Sequence, residues 1–346
     1  MKIGILSTTI YPIKFPFEGY AGIEKLVAEK SVQLSKMGHE ITVFCPQGSK
    51  LPEPIKVIEV CEPNINYHYS HEKQAMDNVM KYLETNHIDI LEENTHQKYA
   101  YLHYNKLKEL NIKLCGVLHN QCNFSNPPPG VPKMNLIGIS NSHCAEASGI
   151  LGIHLECVYN GIDLSHYIYN DKKDDYFLFL SRIARMKGIH EAIQAAKESG
   201  NKLLVCGEDV FVNDPSYVMS VMNSCDGKNI KYLGNITEAK KIELLSNAKA
   251  LVLPILWNEP FGIVVIEALA SGTPVITSPR GAMTEIIEHR KDGLFCYNIG
   301  EIKSAMKVID TIKPEDCRKK AEKFTVEIMA KRYLALYERI LVGNEW

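Results

Sequence analysis

Glu259 and Glu267 bracket the segment Pro-Phe-Gly-Ile-Val-Val-Ile. The apolar run 250–256 (ALVLPIL) just before them reads as a strand, Pro260 and Gly262 break it, and 263–270 resumes with helix formers. Glu259 therefore falls on a turn, and Glu267 about a turn and a half into a helix. The backbone N–H groups of Phe261, Gly262 and Ile263 are left at the positive end of that helix, where an anion can accept them. Carboxylates beside a phosphate cradle repel the phosphate unless each has hydroxyls to bind. The ligand that meets both demands is a sugar joined through phosphate to a nucleoside.

Other candidates follow strand-like runs in the same way. Ser181-Arg182-Ile183-Ala184-Arg185-Met186-Lys187-Gly188 follows the run 176–181 and precedes a helix. Arginine can grip phosphate oxygens bidentately and lysine adds a mobile point charge, so Arg182 and Lys187 suit a diphosphate. A solvated basic loop is the alternative, and Arg185 and Lys172 read that way. Gly22 ends a long loop, 8–22, and leads into a helix, which permits close approach of a phosphate or an acceptor; a plain turn with surface aromatics is the alternative. The loop matches neither G-x-G-x-x-G nor G-x-x-x-x-G-K-[ST], which counts against a dinucleotide enzyme and an NTPase. His119 ends the run 112–118, where it could hydrogen-bond a substrate hydroxyl or shuttle a proton, or be a structural histidine. Gly207 and Gly234 hold equivalent strand-end positions, where small residues admit a flat base, and Thr237 reads as a helix N-cap.

The elements that must position these residues alternate regularly. Strands are expected at 2–7, 41–45, 56–60, 88–91, 112–118 and 135–139, with helices at 22–37, 72–86, 97–109 and 141–148. The second half repeats the scheme, with strands near 176–181, 202–206, 230–233, 250–254, 274–277 and 293–296. Its helices are expected near 188–199, 237–247, 262–271, 300–309 and 325–341. Such alternation means parallel sheets covered on both faces, and 346 residues exceed what one core supports. The expected fold is therefore α/β, two doubly wound Rossmann-like domains facing across a cleft. Residues 1–162 are expected to form the first domain, 163–325 the second, and 326–346 a terminal helix that is long enough to reach either and could pack back on the first. Ligands of such sheets bind beyond the carboxyl ends of the strands.

Bulk properties narrow the class. Hydrophobic residues make up 45% of the chain and charged residues 23%, as in an ordinary globular protein, and a net charge of −2 argues against a general nucleic-acid binder. No secretory signal and no spanning segment is read. Ten scattered cysteines without a C-x-x-C pair read as reduced thiols and give no zinc pattern. A cytoplasmic protein is expected, with peripheral contact at the inner membrane face left open.

Taken in order, GYAGIEK at 19–25, KMGHEITVF at 36–44, ISNSH at 139–143, YNGID at 159–163, SRIARMKG at 181–188, YLGNIT at 232–237 and NEPFGIVVIEALASGTPVITSPRGAMTEII at 258–287 resemble the retaining glycosyltransferases of family 4, which have the two-Rossmann-domain GT-B architecture. The resemblance spans essentially the whole chain. It implies that Glu259 contacts donor-sugar hydroxyls, that the amides of Phe261, Gly262 and Ile263 support sugar and phosphate, and that Glu267 binds the ribose. Arg182 and Lys187 would hold the diphosphate, His119 would meet a sugar hydroxyl near the transfer point, and the stretch Gly234 to Ile236 would pack on the base. Ala21-Gly22 departs from the family's frequent paired glycines, which weakens the phosphate role of Gly22. Family members work without a bound metal, and no cofactor is expected, the nucleotide sugar being a substrate. The implied reaction moves a hexosyl group from a nucleotide diphosphate sugar, uridine first and guanosine second, to a hydroxyl of a glycan, lipid-linked or small-molecule acceptor. The rivals are a non-catalytic nucleotide-sugar-binding protein, which the intact set of site residues opposes, and a nucleotide-sugar epimerase on the same architecture. The loops 9–20 and 121–133 are the expected acceptor side.

Overall fold

The computed structural model describes residues 1–15, 17, 22–120, 133–207 and 214–346. The chain divides into two compact units, one comprising Met1–Gly161 with Val326–Trp346 and the other Ile162–Thr325.

The first unit is built on β1 (Lys2–Leu6), β2 (Glu40–Pro46), β3 (Lys56–Cys61), β4 (Ile90–Glu93), β5 (Lys113–Val117), β6 (Leu136–Gly138) and β7 (Glu156–Cys157). They pair in parallel in the order β3-β2-β1-β4-β5-β6-β7. The second contains β8 (Phe177–Leu180), β9 (Leu203–Cys206), β10 (Ile230–Gly234), β11 (Ala250–Leu253), β12 (Val275–Thr277) and β13 (Gly293–Phe295). These also run parallel, in the order β10-β9-β8-β11-β12-β13. Helices cover both sheets, so central strands such as β11 (ALVL) are apolar throughout and buried at every position. In each sheet the order of winding reverses once, between β1 and β4 and between β8 and β11. Connections leave in opposite directions there, and a crevice opens at the carboxyl ends of those strands.

Some expected elements take another form. The helix expected over 97–109 is a 3-10 turn, Tyr99–His103, followed by an α-helix, Tyr104–Glu109. Lys98 precedes the turn in the left-handed region, at φ 55, and buried Glu93 accepts from the Ala100 N–H at 3.0 Å, so a side chain takes a donor that a longer helix would pair internally. The helices Pro215–Asn223 and Pro314–Ala321 and the two-residue β7 were not expected. Both helices open on proline, a start signal the sequence did carry, whereas two residues show no periodicity. The helix Val326–Leu341 belongs to the first unit. The expected acceptor loop at 121–132, Glu208 and residues 16 and 18–21 before Gly22 lie outside the described residues.

Candidate active site

At the reversal in the second unit, the loop after β8 carries Arg182 and Lys187 and the loop after β11 carries Glu259. The loops are fastened together. Leu256 N donates to Met186 O at 2.8 Å, and Gly188, at φ +71, lies so close to β11's exit that a Cβ there would stand 2.0 Å from Pro254 O. Only glycine meets both conditions.

This fastening brings Lys187 Nζ to 2.5 Å from Glu259 Oε2. Trp257 Nε1 donates to the same oxygen at 2.8 Å, and the Trp257 ring lies 5.0 Å from the Lys187 ammonium. Lys187 and Glu259 are each 8% exposed. Desolvating two charges largely offsets their attraction, so such a pair adds little net stability and holds charge in place instead. Glu259 Oε1 has no partner among the described residues. The Glu259 backbone is held as well, since Ala282 N donates to its carbonyl at 2.9 Å and Gly281 packs flat against it.

The helix Ile263–Ala270 starts at Gly262, whose φ of 87 turns the chain sharply. Among the described residues the N–H groups of Gly262 and Ile263 donate to nothing, as the sequence led one to expect of a helix end. The Phe261 side chain is buried edge-on against Phe324, so only its backbone can serve a ligand. Glu267, in this helix, is held by a different set of partners. Tyr167 donates to Glu267 Oε1 at 2.6 Å, and Lys241 reaches the same oxygen at 2.8 Å while pairing with Glu238. Arg182 is partly buried and, among the described residues, its guanidinium makes no hydrogen bond or ion pair. Arg185 instead faces solvent, pairing with Asp214 at 3.2 Å over the Tyr217 ring.

The glycines at the neighbouring strand ends differ. A Cβ on Gly207 would lie 2.0 Å from Ser181 O and 2.7 Å from the Ile183 side chain, so the small residue there serves the packing of the β8 loop and leaves no room for a base on that face. Gly234, at φ +67, has open space on that side, with only a Tyr232 ring carbon at 4.0 Å, and Ile236 beyond it is half-buried. Thr237 caps the helix Glu238–Asn247, accepting from Lys240 N at 3.3 Å.

His119 belongs to the first unit, just past β5, and Gly22 begins the helix Gly22–Lys36 there. His119 Nε2 lies 2.9 Å from Asn94 Oδ1, and its Nδ1 is buried with no partner among the described residues. Enclosure of the ring, then the nearby positive charges of Lys98 and Lys30, holds its pKa well below the usual histidine range. The imidazole is neutral at physiological pH. Among the described residues no group of three or more His, Cys, Asp or Glu could hold a metal ion, and no helix is long and apolar enough to cross a membrane.

Two family models account for nearly all of this chain. Residues 20–166 match the one described as glycosyltransferase family 4, and residues 167–326 the one described as glycosyl transferases group 1. The chain belongs to glycosyltransferase family 4. It is similar to the N-acetyl-alpha-D-glucosaminyl L-malate synthase of Bacillus anthracis, 24% identical over 99% of this chain and 97% of that protein. To the O-antigen chain mannosyltransferase of Salmonella typhimurium it is 31% identical, over 46% of this chain and 44% of that one. The chain spans about a third to a half of the length of most of the curated relatives it matches. The solved sucrose-phosphate synthase of Thermosynechococcus elongatus shares its fold, with a TM-score of 0.82 at 16% identity over 99% of this chain and all of that one. Within the family 4 frame, sequence reasoning missed Trp257, Tyr167, Lys241, Gly281 and Asn94. Trp257 alone carried a signal, being one of two tryptophans and two residues before Glu259.

Proposed function

We propose that this family 4 protein is a retaining hexosyltransferase that takes a nucleotide diphosphate sugar as donor, uridine first and guanosine second, and an acceptor hydroxyl on a glycan, lipid-linked molecule or small molecule. The observation that carries this reading is the Lys187–Glu259–Trp257 cluster at the strand reversal, beside the unpaired amides of Gly262 and Ile263. In the proposed donor complex Glu259 Oε1 accepts sugar hydroxyls. Lys187, the uncommitted Arg182 and the helix amides take the diphosphate oxygens, and Glu267 takes the ribose, with Gly234 and Ile236 against the base. His119 accepts from a sugar hydroxyl. The bond from the anomeric carbon to the phosphate oxygen breaks as the acceptor oxygen bonds to the same face, and the leaving phosphate oxygen takes the acceptor's proton. Positive side chains and amides meet the charge of the departing diphosphate, the role a metal ion fills in other enzymes.

The test is a panel of uridine and guanosine diphosphate sugars with the purified protein, first for thermal stabilisation and then for turnover, with the product anomer read by NMR. Transfer with the donor's anomeric configuration kept is expected, undiminished by EDTA. Lys187→Ala or Arg182→Ala is expected to lower kcat by about a hundredfold or more. Donor binding without hydrolysis or transfer, or isomerisation of the donor without acceptor, would replace this reading with a sensor or an epimerase.

A further inference from the structure

The carboxyl ends of β1, β4 and β5 converge on Asn94. Its Nδ2 donates to Leu6 O at 3.1 Å and to Glu92 Oε1 at 2.7 Å, and its Oδ1 faces His119 Nε2 at 2.9 Å. Chemistry fixes that orientation. With the amide turned over, Oδ1 would face a carbonyl and a carboxylate, three oxygens without a hydrogen among them, and the amide nitrogen would face the imidazole. Glu92 is anchored in turn, Oε1 by Lys30 Nζ and Oε2 by the Tyr337 hydroxyl, and it cannot turn away. Asn94 and Glu92 are buried, at 2% and 0% exposure, and the His119 ring beside them is half-buried.

Since Asn94 Oδ1 can only accept, His119 Nε2 must carry a hydrogen. A neutral imidazole has one N–H, so the lone pair falls on Nδ1, the atom left without a partner among the described residues. We propose that Asn94 is a positioning residue that fixes His119 in its Nε2–H form and thereby presents Nδ1 as a hydrogen-bond acceptor for a substrate hydroxyl. Asparagine suits this task better than aspartate. A carboxylate would accept from Nε2–H equally well, but it would attract a second proton onto the ring, turn Nδ1 into a donor and stand against Glu92. The titratable groups facing His119 from its surroundings are Lys98, Lys30, His96 and His143, and Glu92 lies one hydrogen bond further away behind Asn94. The amide passes the anchoring of Glu92 to the imidazole without adding charge.

This inference extends the role given to His119 above, and its test separates the two. With histidine nitrogens labelled by 15N, long-range proton–nitrogen spectra show which imidazole nitrogen bears hydrogen, assigned through His119→Gln. The native protein is expected to hold the Nε2–H form throughout pH 6 to 8, about the range in which an ordinary histidine titrates. Asn94→Ala is expected to give mixed tautomers. Asn94→Asp should keep Nε2–H but raise the titration of His119 into the neutral range. On donor turnover, Asn94→Ala is expected to lower kcat about tenfold with little change in KM. Asn94→Asp should recover activity only at high pH, a profile that simple loss of stability does not produce. An Nδ1–H ring in the native protein, or an unchanged tautomer and titration in both variants, would overturn the proposal. A disturbed tautomer with unchanged turnover would leave Asn94's hold on the ring standing and remove His119 from the reaction.

Discussion

A carboxylate that must meet sugar hydroxyls in one orientation cannot be free to swing, and Glu259 is restrained at both ends. Trp257 and Lys187 share its Oε2, and Gly281 presses on its backbone. Gly281→Ala would place a Cβ 2.4 Å from both Glu259 N and Glu259 O, on a residue at φ +58. Backbone cannot yield as a side-chain tip can, so a loss of roughly 2–4 kcal/mol in urea denaturation is expected, with a loss of donor turnover at temperatures where the variant stays folded. Trp257→Phe is the gentler probe. It keeps a ring over Lys187 and removes the single N–H to Glu259, for which kcat/KM is expected to fall about three- to tenfold with the melting temperature little changed. At this scale residue type and local spacing suffice to single out Glu259, Lys187 and the amides beside Gly262 as candidates, and the structure places them at the same strand reversal. Trp257 and Gly281 escaped because their use depends on which strand ends adjoin. The packing use of Gly207 escaped for the same reason, since nothing local announces that Ser181 O fills the side to which a Cβ would point.

Strands buried on both faces announce themselves as apolar runs, which is why β1, β2, β8 and β11 were legible and β7, a two-residue edge, was not. β4 breaks the pattern: it reads Ile-Leu-Glu-Glu, buried at all four positions. Glu93 accepts from Thr95 Oγ1 and Ala100 N, and Lys98 lies near it, yet burial outweighs these and raises its pKa to about 7. A folded-state value above the unfolded one means the folded form holds its proton more tightly. The resulting stability is complete below the ordinary carboxylate range and is lost as pH rises through about 7. Between pH 4.5 and 7 this amounts to roughly 3 kcal/mol, so the first unit is expected to melt at a lower temperature at pH 8 than at pH 5. Glu93→Gln cannot ionise and should flatten that part of the profile, whatever its stability at a single pH. A slope unchanged in the variant would mean that other groups set it. The same carboxyl explains the broken helix at 97–109, because a buried acceptor that captures the Ala100 N–H is invisible to a reading of helical periodicity.

The chain leaves its first unit at Gly161 and returns at Val326, and this closure is the feature least accessible to sequence. Length and amphipathic spacing show that the last helix exists; they do not say which surface it covers. The answer lies in two tyrosines. Tyr337 donates to Glu92 across 245 residues of sequence, and the Tyr333 ring lies 3.8 Å from the Lys30 ammonium. Further on, Trp346 exchanges hydrogen bonds with Asn135 and donates through Nε1 to Leu136 O at 2.9 Å, beside β6. The helix thus covers a Lys30–Glu92 pair that would be costly to leave buried with one partner missing. Tyr337→Phe keeps the ring and deletes one hydrogen bond to a buried carboxylate, so a loss of about 1.5–3 kcal/mol is expected by urea denaturation. Because Glu92 also steadies Asn94, this variant should loosen the His119 ring from a distance while leaving nucleotide stabilisation of the second unit intact. Unchanged stability would show that water replaces the hydroxyl at no cost. The Tyr337–Glu92 bond would then be a consequence of the helix's docking, and the apolar contacts of Met329, Leu336 and Ile340, all buried, would be its cause.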